Sequence, residues 1–75
     1  MNIFGDQAPT MYLCGNQSLY IEHYESILEY TGARVKLKLP KMQLILECRD
    51  ICLEYFSQND VKIRGKIWKI TFETV

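Results

Sequence analysis

Apolar and polar positions alternate through most of this chain. Val35, Leu37 and Leu39 alternate with Arg34, Lys36 and Lys38, the period of two that a half-buried β-strand imposes on its side chains. The same alternation sets Leu19 and Ile21 against Tyr20 and Glu22, and aligns Met42, Leu44 and Leu46. It then aligns Ile51, Leu53 and Tyr55, sets Val61 and Ile63 against Lys62 and Arg64, and sets Trp68, Ile70 and Phe72 against Lys69, Thr71 and Glu73. Thr10 to Cys14 and Ile27 to Tyr30 are shorter runs of the same kind. Over 19–30 a helix competes, because Leu19, Glu22, His23, Ile27 and Tyr30 also recur every three or four residues. Tyr, Ile and Thr favour strands and no capping residue opens that segment, so the extended reading is preferred.

Turn chemistry separates these runs. Gly15-Asn16, Tyr24-Glu25-Ser26, Thr31-Gly32, Pro40-Lys41, Arg49-Asp50 and Ser57-Gln58-Asn59-Asp60 read as connections, and Gly65 as a bulge or turn. The expected fold is all-β, a small antiparallel meander or roll of roughly seven to eight short strands whose apolar rows share one interior. Residues 1–9 read as a loose lead-in, and residues 10–75 as a single β-domain. An open sheet this small leaves edges able to pair with another copy, which makes self-association an expectation of the architecture.

Composition narrows the function. A chain of 75 residues, 48% hydrophobic and 24% charged, is one folding domain in which a sizeable enzyme core is hard to build. Nine basic residues balance nine acidic ones, so no overall field recruits nucleic acid or an acidic membrane. The distribution is uneven, however. Residues 1–30 hold Asp6, Glu22, Glu25 and Glu29 without a base, whereas Arg34, Lys36, Lys38 and Lys41 follow closely, and Lys62, Arg64, Lys66 and Lys69 outnumber Glu73 near the end. Strands of opposite sign are therefore expected to pair, within the fold or between chains.

Cys14, Cys48 and Cys52 lack the spacing of a zinc or redox pair. If the segment is extended, Cys48 and Cys52 share a face about 13 Å apart, too far to hold one ion. Small buried or edge thiols are expected, consistent with a reducing compartment. No basic segment leads into an apolar run at the start, and no stretch has the length of a membrane span, so the chain reads as intracellular.

Candidate chemistry is sparse. Glu22 and Glu29, with His23 between them, would face each other if their segments formed a hairpin, but His23 has no nucleophile at a telling spacing and reads as a turn or surface residue. Enzymatic activity therefore ranks last, and no cofactor or metal is expected. Tyr20, Tyr55 and Trp68 with Lys36, Lys38, Lys62 and Lys69 could stack bases and touch phosphates, an alternative reading as a small RNA or single-stranded nucleic-acid-binding domain. No ribonucleoprotein motif or phosphate loop accompanies them. Trp68 reads as a large buried anchor whose indole N–H meets a partner at an edge or interface. The candidate interaction surface comprises Arg34, Lys36, Lys38, Tyr55 and Trp68.

Gly15-x-x-x-Leu19-x-Ile21-Glu22 followed by Ile27-x-Glu29-Tyr30, then Leu44, Leu46, Ile51 and Leu53, and finally Phe56-Ser57-x-x-Asp60-Val61-x-Ile63-x-Gly65-x-Ile67 form an ordered series. In that order the chain resembles the YabP/YqfC family of small sporulation proteins of endospore-forming bacteria, over roughly residues 12–72. The resemblance implies a structural, assembly or accessory role in spore formation, in the cytoplasm of the mother cell, without catalytic or cofactor residues. Its partners would be copies of itself and a membrane-bound or spore-layer protein. Ser26, the Pro40-Lys41-Met42 turn and the neighbourhood of Cys48 depart from the family's glycines, and altered turn geometry is expected there because Ser, Met and Cys resist positive backbone angles.

The alternation around Leu37 makes a direct prediction. Leu37→Asp should unfold the domain, whereas Lys36→Glu should leave the fold intact and alter association at most. Circular dichroism and light scattering on both variants check the assignment, and a folded Leu37→Asp beside an unfolded Lys36→Glu would reverse the faces.

Overall fold

A computed structural model describes residues 9–74. Of the lead-in expected over 1–9, all but Pro9 lies outside the described residues, as does Val75 at the end of the β-domain. The described chain is all antiparallel β-sheet, with six strands: β1 (Thr10–Cys14), β2 (Ser18–Glu22), β3 (Ser26–Tyr30), β4 (Arg34–Leu39), β5 (Met42–Phe56) and β6 (Asp60–Thr74). The strand order is β1-β2-β6-β5-β4-β3, an open sheet. The count falls below seven to eight because Arg49-Asp50 and Gly65, read as breaks, are irregularities inside continuous strands of 15 residues each.

The order contains its own geometric demand. β2 pairs with the first part of β6, so that Glu22 stands opposite Asp60, while β3 joins the other end of the β5–β6 hairpin, through Ser26 opposite Lys38 and Lys38 opposite Gln43. Gln43 in turn pairs with Glu73. Fully extended, Asp60 and Glu73 would be about 43 Å apart, yet the link from Glu22 to Ser26 reaches about 14 Å at most. The long hairpin must therefore bend sharply, turning the sheet into two layers. One layer is β1, β2, the start of β6 and the end of β5. The other is the end of β6, the start of β5, β4 and β3.

The bend lies where the β5–β6 register slips, between Arg49 and Cys52. Asp50 there takes a left-handed conformation (φ 57°), one that Asp tolerates better than most residues. Opposite it, a Cβ on Gly65 would stand 3.0 Å from the Arg49 carbonyl oxygen and 3.2 Å from that of Asp50. Only a residue without a side chain lets the two backbones cross this closely.

Both layers feed one core. Leu19 and Ile21 from β2 and Val61 and Ile63 from β6 face Val35, Leu37, Leu39, Leu44 and Leu46 from β4 and β5, with Cys48 and Ile67 at the bend, and all are buried. Val35, Leu37 and Leu39 occupy the interior as the alternation predicts. Each such side chain contributes roughly 1.5–3 kcal/mol of burial before ordering costs.

Two further slips in the β5–β6 register correct the expected rows. Glu47 pairs with Lys69 and Cys48 with Ile67, which leaves Trp68 as the extra residue of a bulge. The inward row therefore runs Phe72, Ile70, Ile67, and Trp68 is 67% exposed instead of a buried anchor. Glu54 is likewise extra between Leu53 and Tyr55, so Tyr55 aligns with Lys62 and not with the apolar row of Ile51 and Leu53. Cys48 and Cys52 lie across the bend, opposite Ile67 and Arg64 respectively, and do not share a face.

The layers are fastened by the three-residue link after β2. The N–H groups of His23 and Tyr24 donate to the Asn59 carbonyl (2.7 and 3.2 Å), and that of Glu25 to the Lys38 carbonyl (2.8 Å). Tyr24, buried in the core, donates its hydroxyl to the Ser57 carbonyl at 2.8 Å. Thus one short segment holds both ends of the bent hairpin. Left-handed backbone occurs within the Pro40-Lys41-Met42 turn, at Lys41 (φ 65°), and near Cys48, at Asp50, while before β3 it falls on His23 (φ 67°) and not on Ser26.

Two substitutions test this geometry in urea denaturation. Gly65→Ala should lose about 1–3 kcal/mol through the enforced clash, and Lys41→Gly should gain about 0.5–1 kcal/mol by relieving the left-handed backbone. An undiminished stability of Gly65→Ala would mean that the crossing is looser than described.

Candidate interaction surface

A two-layer sheet has two outer faces, and the expected surface residues divide between them. Arg34, Lys36 and Lys38 lie on the outer face of β4, as the alternation requires. Arg34 Nε stands 3.5 Å from Glu29 Oε1 of β3, and Lys38 Nζ stands 3.1 Å from Glu25 Oε1. The acidic first third of the chain thus pairs with the basic strand that follows it. Both pairs are substantially exposed, so each contributes about 0.2–1 kcal/mol at most. Lys36, half-buried, faces Glu29 in register and has no ion pair among the described residues.

Tyr55 belongs to the other layer. It shares a cross-strand row with Lys62, Tyr20 and Tyr12. Tyr12 and Tyr20 stack with ring centroids 5.9 Å apart and planes inclined by 29°. Tyr20 donates to Asp60 Oδ2 at 3.0 Å, and Tyr12 to Glu22 Oε1 at 3.4 Å. Glu54 Oε2 lies 3.9 Å from both Lys62 Nζ and Arg64 Nε. The tyrosine row is therefore bordered by carboxylates, and its lysine is already engaged.

Trp68 stands apart from both groups, at the bend. It borders a shallow depression with Asn16, Arg49, Lys66 and Ile67. Arg49 and Lys66 are directly opposite each other, a like-charge pair that works against stability. Neither has an ion pair among the described residues. The five surface residues singled out from the sequence are not one site: three share a face, Tyr55 lies on the other layer, and Trp68 marks the hinge between them.

The carboxylates considered for acid–base chemistry do not meet across a hairpin. Glu22 is on β2, which pairs with β1 and β6, while Glu29 is on β3, which among the described residues pairs only with β4. His23 occupies a strained turn between them. Among the described residues no three His, Cys, Asp or Glu side chains are grouped to hold a metal ion. Cys14 and Cys52 are exposed free thiols, and Cys48 is a buried one whose pKa is pushed up by desolvation.

The feature that alternation did not expose is the apolar rim. Met11 and Leu13 align with the core residues Ile21 and Leu19, yet they sit on the edge strand and are 36% and 54% exposed. Phe72 aligns with Leu44 at another margin and is 52% exposed. The signal lies in topology: a core-facing position is covered only where the opposite layer extends over it.

The Tyr20–Asp60 contact generates a pH prediction. The hydrogen bond and nearby negative charge hold the Tyr20 phenol above its ordinary pKa, near 10 in a free side chain. Since folding favours the neutral phenol, this contribution is present below that pH and is lost as pH rises through the higher folded value. Asp60→Asn should move the phenol back down, as read by ultraviolet absorption titration; an unchanged Tyr20 titration would deny the coupling.

No family model, curated protein or solved structure matches the chain.

Proposed function

We propose that this chain is a noncatalytic β-domain that associates with copies of itself as a structural or assembly component. The carrying observation is the exposed apolar rim on strand edges with no partner among the described residues, Met11 and Leu13 on the outer side of β1 and Phe72 at the end of β6. Such strand edges offer both backbone hydrogen-bonding groups and apolar side chains to another chain. The resemblance to the YabP/YqfC pattern supports a setting in spore formation, in the mother-cell cytoplasm, with a membrane-bound or spore-layer protein as a further partner. The nucleic-acid reading has less support, because Lys38 and Lys62 already face carboxylates and Tyr20 is bordered by Asp60 and Glu22.

Self-association is tested by size-exclusion chromatography with light scattering. The mass should rise above that of the 8.9 kDa chain as concentration increases from micromolar to near-millimolar. A constant monomer mass over that range would remove the reading. An oligonucleotide retained by the folded protein in low salt and released by high salt would favour the nucleic-acid alternative.

A further inference from the structure

We propose that the free edge of β6, Lys69–Thr74, receives the same segment of a second copy in an antiparallel pairing centred on Thr71. This inference rests on the self-association reading and specifies its interface.

The edges are not equivalent. The first part of β6 is covered by β2, and the N–H groups of Gly65 and Ile67 donate to the carbonyls of Gln17 and Asn16 in the β1–β2 turn, at 2.9 and 2.7 Å. Beyond Ile67, no strand among the described residues pairs with this side of β6. On its other side Lys69–Thr74 runs in unbroken register with Met42–Glu47, so this edge is both regular and unpartnered. The competing edges are blunted. β3 carries a bulge at Leu28, β1 has no charged side chain to fix a register, and the end of β5 is interrupted by its bulge at Glu54. The Leu53 N–H on that last edge also donates to the Tyr30 hydroxyl at 2.9 Å. Bulges discourage edge pairing, and Lys69–Thr74 contains none.

The sequence of this edge is complementary to itself. In an antiparallel pair centred on Thr71, Lys69 stands opposite the partner's Glu73, and Glu73 opposite the partner's Lys69. Ile70 stands opposite the partner's Phe72, and Thr71 opposite the partner's Thr71. All three kinds of cross-strand pair are favourable. The inward row continues across the junction because a two-fold pairing must set like faces together. Moving the centre to Ile70 or Phe72 preserves the faces but separates Lys69 from the partner's Glu73. Charge therefore selects the register.

Both charged residues are exposed and free to serve this purpose. Lys69 faces Glu47 in register, yet neither Lys69 nor Glu73 makes an ion pair among the described residues. Phe72, half-exposed at the margin, and the partly buried Ile70 would lose water in the junction.

The test uses the complete chain in sedimentation equilibrium at low salt, with circular dichroism to verify folding. Lys69→Glu and Glu73→Lys should each weaken dimerisation on the order of tenfold, because two opposite-charge pairs become like-charge pairs. The double swap should return affinity to within about threefold of the original, and an equimolar mixture of the two single variants should associate more tightly than either does alone. If a charge reversal prevents folding, Lys69→Gln and Glu73→Gln should still weaken pairing, by about threefold each. An original chain that dimerises while every one of these variants dimerises equally well overturns this edge and leaves self-association standing. A swap and a mixture that fail to recover also overturn it. An original chain that stays monomeric overturns both.

Discussion

The whole fold turns on one close crossing of backbones, where Gly65 lies against Arg49, Asp50 and Ile51. A flat sheet of this sequence would expose one complete apolar face, and the chain has no helix among the described residues to cover it. Among the described residues the only available cover is the other half of the same sheet. Bending the β5–β6 hairpin supplies it, converting six strands into two layers around Leu19, Ile21, Leu37, Leu44 and Leu46. Tyr24 and the backbone of His23 and Glu25 then hold the two ends of the bend together. Such a core depends on a few backbone positions as much as on its side chains.

The alternation of apolar residues disclosed the strands because each strand has a period of two whatever its neighbours. It placed Val35, Leu37 and Leu39 in the interior and Arg34, Lys36 and Lys38 outside, and burial follows that pattern. What it could not carry was continuity across a bulge. A single extra residue resets the phase, and Trp68 and Tyr55 were both projected onto rows from which a bulge removes them. Arg49-Asp50 looked like a turn for the same reason: a sharp bend within a strand and a reversal between strands demand similar local conformations. The role of Tyr24 was hidden because its partner is the carbonyl of Ser57, 33 positions away, and a main-chain acceptor has no sequence signature.

Charge was legible in part. The acidic segment before β4 and the basic residues within it meet in the pairs Glu29–Arg34 and Glu25–Lys38, as their opposite signs suggest. These contacts are local, spanning adjacent strands. The free charges at Arg49, Lys66, Lys69 and Glu73 lie instead around the bend and the margin of β6. Their accessibility depends on which side of β6 is left bare by the long-range pairing with β2, information that enters only with the topology. The candidate surface therefore shifted from the face of β4, where charge is locally balanced, to an edge.

The pairing of β2 with β6 also sets an order of events. β3, β4, β5 and β6 are successive neighbours and can zip together through short loops. β2 must wait for a strand near the opposite end of the chain, Tyr20 meeting Asp60 across 40 positions. Closing so long a loop is costly and slow compared with forming the hairpins. During synthesis the first two strands emerge with their inner apolar residues uncovered and stay so until β6 leaves the ribosome. The core then closes when β6 reaches β2, which ties completion of the fold to the last of the six strands.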